Sequence, residues 1–190
     1  MKRLHVKKNK NLFKSCLIPK PKLFLNKTLW EGKVLFTEQS KYILDPTDQK
    51  DLNKGYGISG NLTNNHDISI MLGWRYNPQT DLFELTPYAH NGSLSKRIWP
   101  SDNKHNPKIL KTVPVGEPVT YYISKLGPTT INFYFLGSEL EDIFTVDFYK
   151  PIPKLLRQID YWFGGNDSNN DGLGGKAPHD LSLLASFKAY

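Results

Sequence analysis

Glycine and proline punctuate this chain throughout, 14 and 13 of them in 190 residues. Neither suits a helix interior. Proline removes a backbone donor and clashes with the preceding turn, and glycine costs backbone entropy. Short strands bounded by turns tolerate such spacing well. The runs between the breaks are rich in aromatic and β-branched residues, and many alternate apolar with polar. The chain therefore reads as all-β.

WEGKVLFTE (residues 30–38) reads as a first strand and SKYILDPTD (40–48) as a short strand ending in a proline turn. DISIMLGWRY (67–76) and DLFELTPYAHNG (81–92), joined by the turn-rich NPQTD, form the clearest hairpin. Four further strands follow: KILKTVPVG, EPVTYYISKLG, TTINFYFLG (129–137) and DIFTVDFYK (142–150). Residues 154–158 suggest one helical turn. DLSLLASFKAY (180–190) closes the chain as an alternating strand. About nine strands with turn signals every eight to twelve residues predict an antiparallel sandwich. Aromatic content of 13% supplies buried area that an apolar content of 38% would otherwise leave short.

The formal charge of +7 is unevenly spread. Residues 1–41 carry eleven Lys/Arg against Glu31 and Glu38, a local +9, while the rest of the chain sums to −2. Residues 1–29 are expected to be a basic extended arm and residues 30–190 the sandwich. The arm interleaves lysines with Leu, Ile and Phe, and its prolines exclude a helix there. Such a segment suits docking onto another surface through Lys2, Arg3, Lys7, Lys8, Lys10, Lys14, Lys20 and Lys22. Nucleic acid is disfavoured, because lysine outnumbers the arginine that reads bases and grips phosphates in forks. Cys16 is the only cysteine, which excludes an intrachain disulfide and a cysteine-based metal site. No run approaches the roughly eighteen apolar residues of a membrane span. The basic N-terminal segment does not read as a secretory signal.

Three stretches, SIMLGWRY with DLFELTPYAHNG, TYYISKLG with TTINFYFLG, and YWFGG with APHDLSL, resemble the concanavalin-like jelly-roll proteins. That group includes lectins, carbohydrate-binding modules and polysaccharide lyases. The stretches are also similar to small sandwich proteins of Bacteroidetes and their phages. The resemblance implies an antiparallel jelly-roll β-sandwich. Alginate-lyase-like members carry an arginine strand, a Gln-x-His pair and a Tyr/Lys-rich late strand. Arg75 could stand for the arginine, but this chain has no Gln-x-His pair, which argues against catalysis.

Among candidate sites, the loop Asp167-x-Asn169-x-Asp171-Gly172 matches the first half of a calcium-loop pattern. The acidic twelfth position falls on Pro178, and Asp180 lies two residues later as the stand-in ligand. Calcium is the one cofactor this pattern suggests. Trp74, Arg75, Tyr88, Trp99 and Trp162 are candidate glycan or partner contacts. His66-Asp67 and His179-Asp180 each precede a strand and could share a rim. Asp81 and Glu84 are three apart on a strand and point to opposite faces, so they form no acid/base pair. No catalytic residue is assigned. The first expectation is a non-enzymatic docking subunit of a larger assembly. A tailed-phage virion component assembled in the host cytoplasm, in contact with other protein subunits, is the specific form. A carbohydrate-binding module and a polysaccharide lyase are the alternatives.

Overall fold

The computed structural model describes residues 1–14, 22–46, 48–92, 97–98, 107–164 and 176–190. In chain order the strands are β1 (Lys2–Val6), β2 (Leu23–Leu25), β3 (Leu29–Phe36), β4 (Asn53–Ser59), β5 (Ile68–Asn77), β6 (Leu82–Asn91) and β7 (Arg97–Ile98). They continue with β8 (Lys111–Val113), β9 (Pro118–Lys125), β10 (Thr130–Phe135), β11 (Phe144–Asp147), β12 (Leu155–Ile159) and β13 (Leu181–Ala189). Every pairing is antiparallel. One sheet runs β1-β13-β3-β9-β10-β11, and the second runs β2-β12-β4-β5-β6-β7 with β8 also on β6. The chain crosses between sheets after β1, β2, β3, β8, β11 and β12. The result is the expected antiparallel β-sandwich of jelly-roll type. No helix among the described residues is long and apolar enough to cross a membrane.

Side-chain alternation builds the core. On β3 the even-numbered Trp30, Val34 and Phe36 point inward, and on β5 Ile70, Leu72 and Trp74 face them. Phe36 stacks on Phe83 with centroids 4.0 Å apart, joining the sheets. The ring of Tyr121 lies over Gly32, its register partner, where any Cβ would collide with it. Its hydroxyl donates to the Tyr56 carbonyl at 2.9 Å, a second tie between sheets. Each aromatic side chain buried in this way is worth about 1.5–3 kcal/mol in transfer free energy.

Three expectations change. The described parts of the basic arm belong to the sandwich. β1 pairs with β13 from Lys2↔Ala185 to Val6↔Leu181, burying Leu4 and Val6. Phe13 packs edge-on against Trp74 and Tyr161. β2 pairs with β12 and buries Phe24. The cause is period-two alternation: KRLHV turns Leu4 and Val6 inward and leaves Lys2 and Arg3 in water, while LFL turns Phe24 inward and leaves Leu23 and Leu25 exposed. Residues 154–158 do not form a helical turn, because β12 places Leu156 in the core and pairs with β2 and β4. Among the described residues, 40–46 and 48 contain no strand. A short 3-10 turn at Glu38–Ser40 leads into a segment fixed by side chains instead. Gln49 Oε1 accepts from Leu44 N and its Nε2 donates to Tyr76 O, while the buried Tyr42 hydroxyl accepts from Asn53 Nδ2 and Tyr76 N.

Candidate functional site

The outer face of the β12-β4-β5-β6 sheet carries a polar row fixed by register. Arg157 pairs with Ser59, Ser59 with Ser69, and Ser69 with His90. Strand parity sends all four away from the core, since Leu156, Ile58, Ile70 and Ala89 point into it. The next row is Ile159, Gly57, Met71 and Tyr88. Three of these, with Leu52, form a second small apolar cluster outside the main core. The third row is Trp162, Lys54, Gly73 and Thr86. Glycine and serine at the centre lower the floor, and larger side chains on β12 and β6 flank it.

Histidine chemistry concentrates at one end. Ser69 Oγ donates to the Asn65 carbonyl at 2.5 Å, spending its one hydrogen. The 3.1 Å contact between Ser69 Oγ and His90 Nδ1 therefore needs the proton on Nδ1. His90 Nε2 is then an acceptor, and His66 Nδ1–H donates to it at 3.3 Å. That leaves Nε2 as the basic nitrogen of His66. Protonating His90 Nε2 would break the chain, whereas His66 Nε2 takes no part in it. His90 and Ser69 are buried and His66 is half-buried, so the accessible imidazole is oriented by its buried partners.

Asparagines hold this end in place. Asn61 Oδ1 accepts from the backbone N–H groups of Thr63 and Asn64, and Asn64 Oδ1 accepts from His66 N. These side-chain turns make residues 61–66 a shaped loop. Arg157 Nη2 donates to Asn65 Oδ1 at 2.5 Å, while its Nε–H is buried without a partner among the described residues. Beside the loop, Asp67 accepts from Lys150 Nζ at 2.8 Å and from the Tyr149 hydroxyl. Lys150 first and Tyr149 second hold the Asp67 carboxyl below its usual range. Lys54 Nζ donates to Gly164 O and sits 5.3 Å from the Tyr88 ring centroid.

Of the expected contact residues, Trp162 is 44% exposed, on this face. Trp74 is not a surface contact. It shares parity with Ile70 and Leu72 and lies fully in the core. Tyr88 is also buried, in the second apolar cluster. Arg75 donates to Glu84 at 2.6 Å and to Lys50 O at 2.9 Å, at the edge of a cleft of about 340 Å³ that includes Pro46, Asn77 and Gln79. Glu84 also accepts from Asn77, so the pair is internally satisfied. Asp81 lies in the turn just before β6 rather than on the strand as expected, and it takes separate partners, Lys41 and Tyr76. Trp99, Lys20, Asp167, Asn169 and Asp171 lie outside the described residues. Asp180 accepts from Lys7 Nζ at 2.7 Å and Lys8 N at 2.9 Å. No cluster of three metal-ligating side chains occurs among the described residues. The remaining described arm cations, Lys2, Arg3, Lys10 and Lys14, are solvent-exposed, and Lys22 Nζ donates to Phe187 O.

His66 and His179 occupy opposite ends of the sandwich. β5 begins beside the β11 end that meets the start of β10, while β13 begins beside the end of β3. His66, His90, Ser69, Arg157 and Lys54 were not singled out together from sequence. The signal available was parity: Thr86, Tyr88 and His90 share one face of β6, as Ser69 and Met71 do on β5.

No protein-family model matches the chain, and no curated protein does. Among solved structures it is similar to an alginate lyase from Pseudomonas aeruginosa, with 10% identity and a TM-score of 0.45. That match covers 86% of this chain and 66% of the other, so the chain spans just under two thirds of that structure's length.

Proposed function

We propose that this sandwich binds an acidic polysaccharide across the outer face of the β12-β4-β5-β6 sheet. One observation carries the reading: an exposed tryptophan, Trp162, shares a sheet face with Lys54, Arg157 and His66. Aromatic rings stack on the apolar faces of sugars, and cations answer carboxylates. Ser69 and Gly73, which mark the two polar rows on β5, are four residues apart, about 13 Å along a strand. That length suits a short stretch of linked sugars. Calorimetric titration with uronate polymers and neutral glucans tests the reading. Uronate polymers bind in preference, and Trp162→Ala weakens binding about tenfold or more while leaving the melting temperature nearly unchanged. Absence of uronate binding, or equal binding by the variant, overturns it.

The His66–His90–Ser69 chain favours a second reading, a polysaccharide lyase. An accessible imidazole oriented by buried partners is suited to proton transfer. His66 Nε2 would take the C5 proton beside a uronate carboxylate, the C4–C5 double bond would form as the C4–O4 bond breaks, water would protonate the departing oxygen, and Arg157 would offset the carboxylate charge. Appearance of unsaturated product, lost in His66→Gln, supports this reading. Binding without product leaves the protein a binding module. The docking-subunit expectation depended on an arm available to neighbours, and the pairing of β1 and β2 within their own sandwich takes away that support.

A further inference from the structure

We infer that strand β2 is a docking edge for an extended, acidic segment of a partner protein, added as a further strand of the sheet. β2 is the last strand on its side among the described residues. Asn26 N donates to Lys154 O at 2.9 Å and Gln158 N to Lys22 O at 2.8 Å, so residues 22 and 26 turn their backbone toward β12. Antiparallel bonding alternates along a strand. Phe24 therefore also faces β12, and the N–H and C=O groups of Leu23 and Leu25 face outward along the open edge. An edge of this kind is a template for another strand.

The side chains agree with this use. Leu23 is 50% exposed and Leu25 62%, and Leu155, the register partner of Leu25, adds a third apolar side chain on the same face. Charge selects the occupant. Lys27 and Lys154 follow and precede the paired Leu25 and Leu155 in the chain and are exposed, and Arg157 is the register partner of Leu23. Neither residues 22–29 nor residues 150–159 contain an acid. A second copy of this chain would set those lysines against their own twins, and like charges facing each other penalise that pairing. A partner strand alternating acidic and apolar residues meets the leucines and lysines together.

The probe is a fluorescein-labelled peptide, Ser-Glu-Leu-Glu-Val-Glu-Leu-Glu-Ser, with lysine replacing glutamate in the control. Fluorescence anisotropy against the full chain is expected to show saturable binding of the acidic peptide only. Leu25→Pro removes an outward N–H that makes no bond within the sheet, a place where an edge tolerates proline. It is expected to weaken binding about tenfold or more. Lys27→Glu with Lys154→Glu is expected to do the same by charge, with melting temperatures confirming that each variant folds. No binding, equal binding of the lysine peptide, or an affinity unchanged in both variants overturns the inference. So does a wild-type dimer by light scattering that Leu25→Pro converts to monomer, because the edge would then belong to a second copy.

Discussion

The outer face of the β3-β9-β10 sheet and the outer face of the β4-β5-β6 sheet follow different rules. β3 and β10 alternate half-buried and buried residues along their whole length. β5 is buried at seven consecutive positions, Ile68 to Trp74. On the first face the side chains are ordinary solvent-side pairs, such as Tyr122 and Tyr134, stacked with centroids 5.3 Å apart. On the second, Met71 and Tyr88 form an apolar cluster and His90 and Ser69 a satisfied polar chain. A sheet that buries only its inner face is framework. One that buries both carries side chains beyond what the core needs, and there the candidate site residues collect.

Substitution can break this contrast. The largest expected difference compares the two faces directly. Met71→Ala is expected to destabilise the protein by about 2–5 kcal/mol, as a core deletion does. Tyr134→Ala, at an equally central strand position, is expected to cost below about 1 kcal/mol. Denaturant unfolding of both variants measures the gap, and equal losses would erase the distinction. Next in size is Ser69→Ala, expected to cost about 1–3 kcal/mol, because it leaves a buried imidazole N–H of His90 without its acceptor. If Ser69→Ala matches wild type, the histidine chain is not held as described.

The smallest effect is electrostatic. The Asp180 carboxyl is held below its usual range by Lys7 Nζ first and Lys8 N second. A depressed carboxyl stabilises the fold above its unfolded value, near the ordinary 3.8, and that contribution disappears as pH falls through the folded value. Asp180→Asn is expected to lower the melting temperature slightly at neutral pH, with the difference closing as pH falls below the ordinary carboxylate range. Solvent screens this exposed pair, so salt narrows the same gap. A difference that persists in acid would mean Asp180 acts through something other than its charge.

Much of the fold was legible because strand alternation is a local signal. The β5–β6 hairpin was visible from two apolar runs around NPQTD. The long-range pairs were not visible. Lys2 and Ala185 stand in register across nearly the whole chain, and no local pattern reports that. The segment from 1 to 29 looked like an arm because its charges dominate the composition, while its inward residues, Leu4, Val6, Phe13 and Phe24, are few and widely spaced. Trp74 was misplaced on the surface by its neighbours Arg75 and Tyr76, although its parity with Ile70 and Leu72 marks it as inward. The histidine chain escaped notice because His66 and His90 lie 24 residues apart and meet only through the register of Ser69 with His90.

The pairing of β1 with β13 has a consequence for the order in which the molecule is made. β1 leaves the ribosome early and cannot find its partner until β13 has been synthesised. β3 waits as well, because one of its two neighbours is that same strand. At the roughly 5–20 residues per second of translation, Leu4, Trp30 and Phe36 stay partly uncovered for many seconds. The nascent chain therefore depends on whatever shields apolar segments during synthesis, and a ribosome paused before residue 181 would hold a sheet lacking the strand that joins β1 to β3.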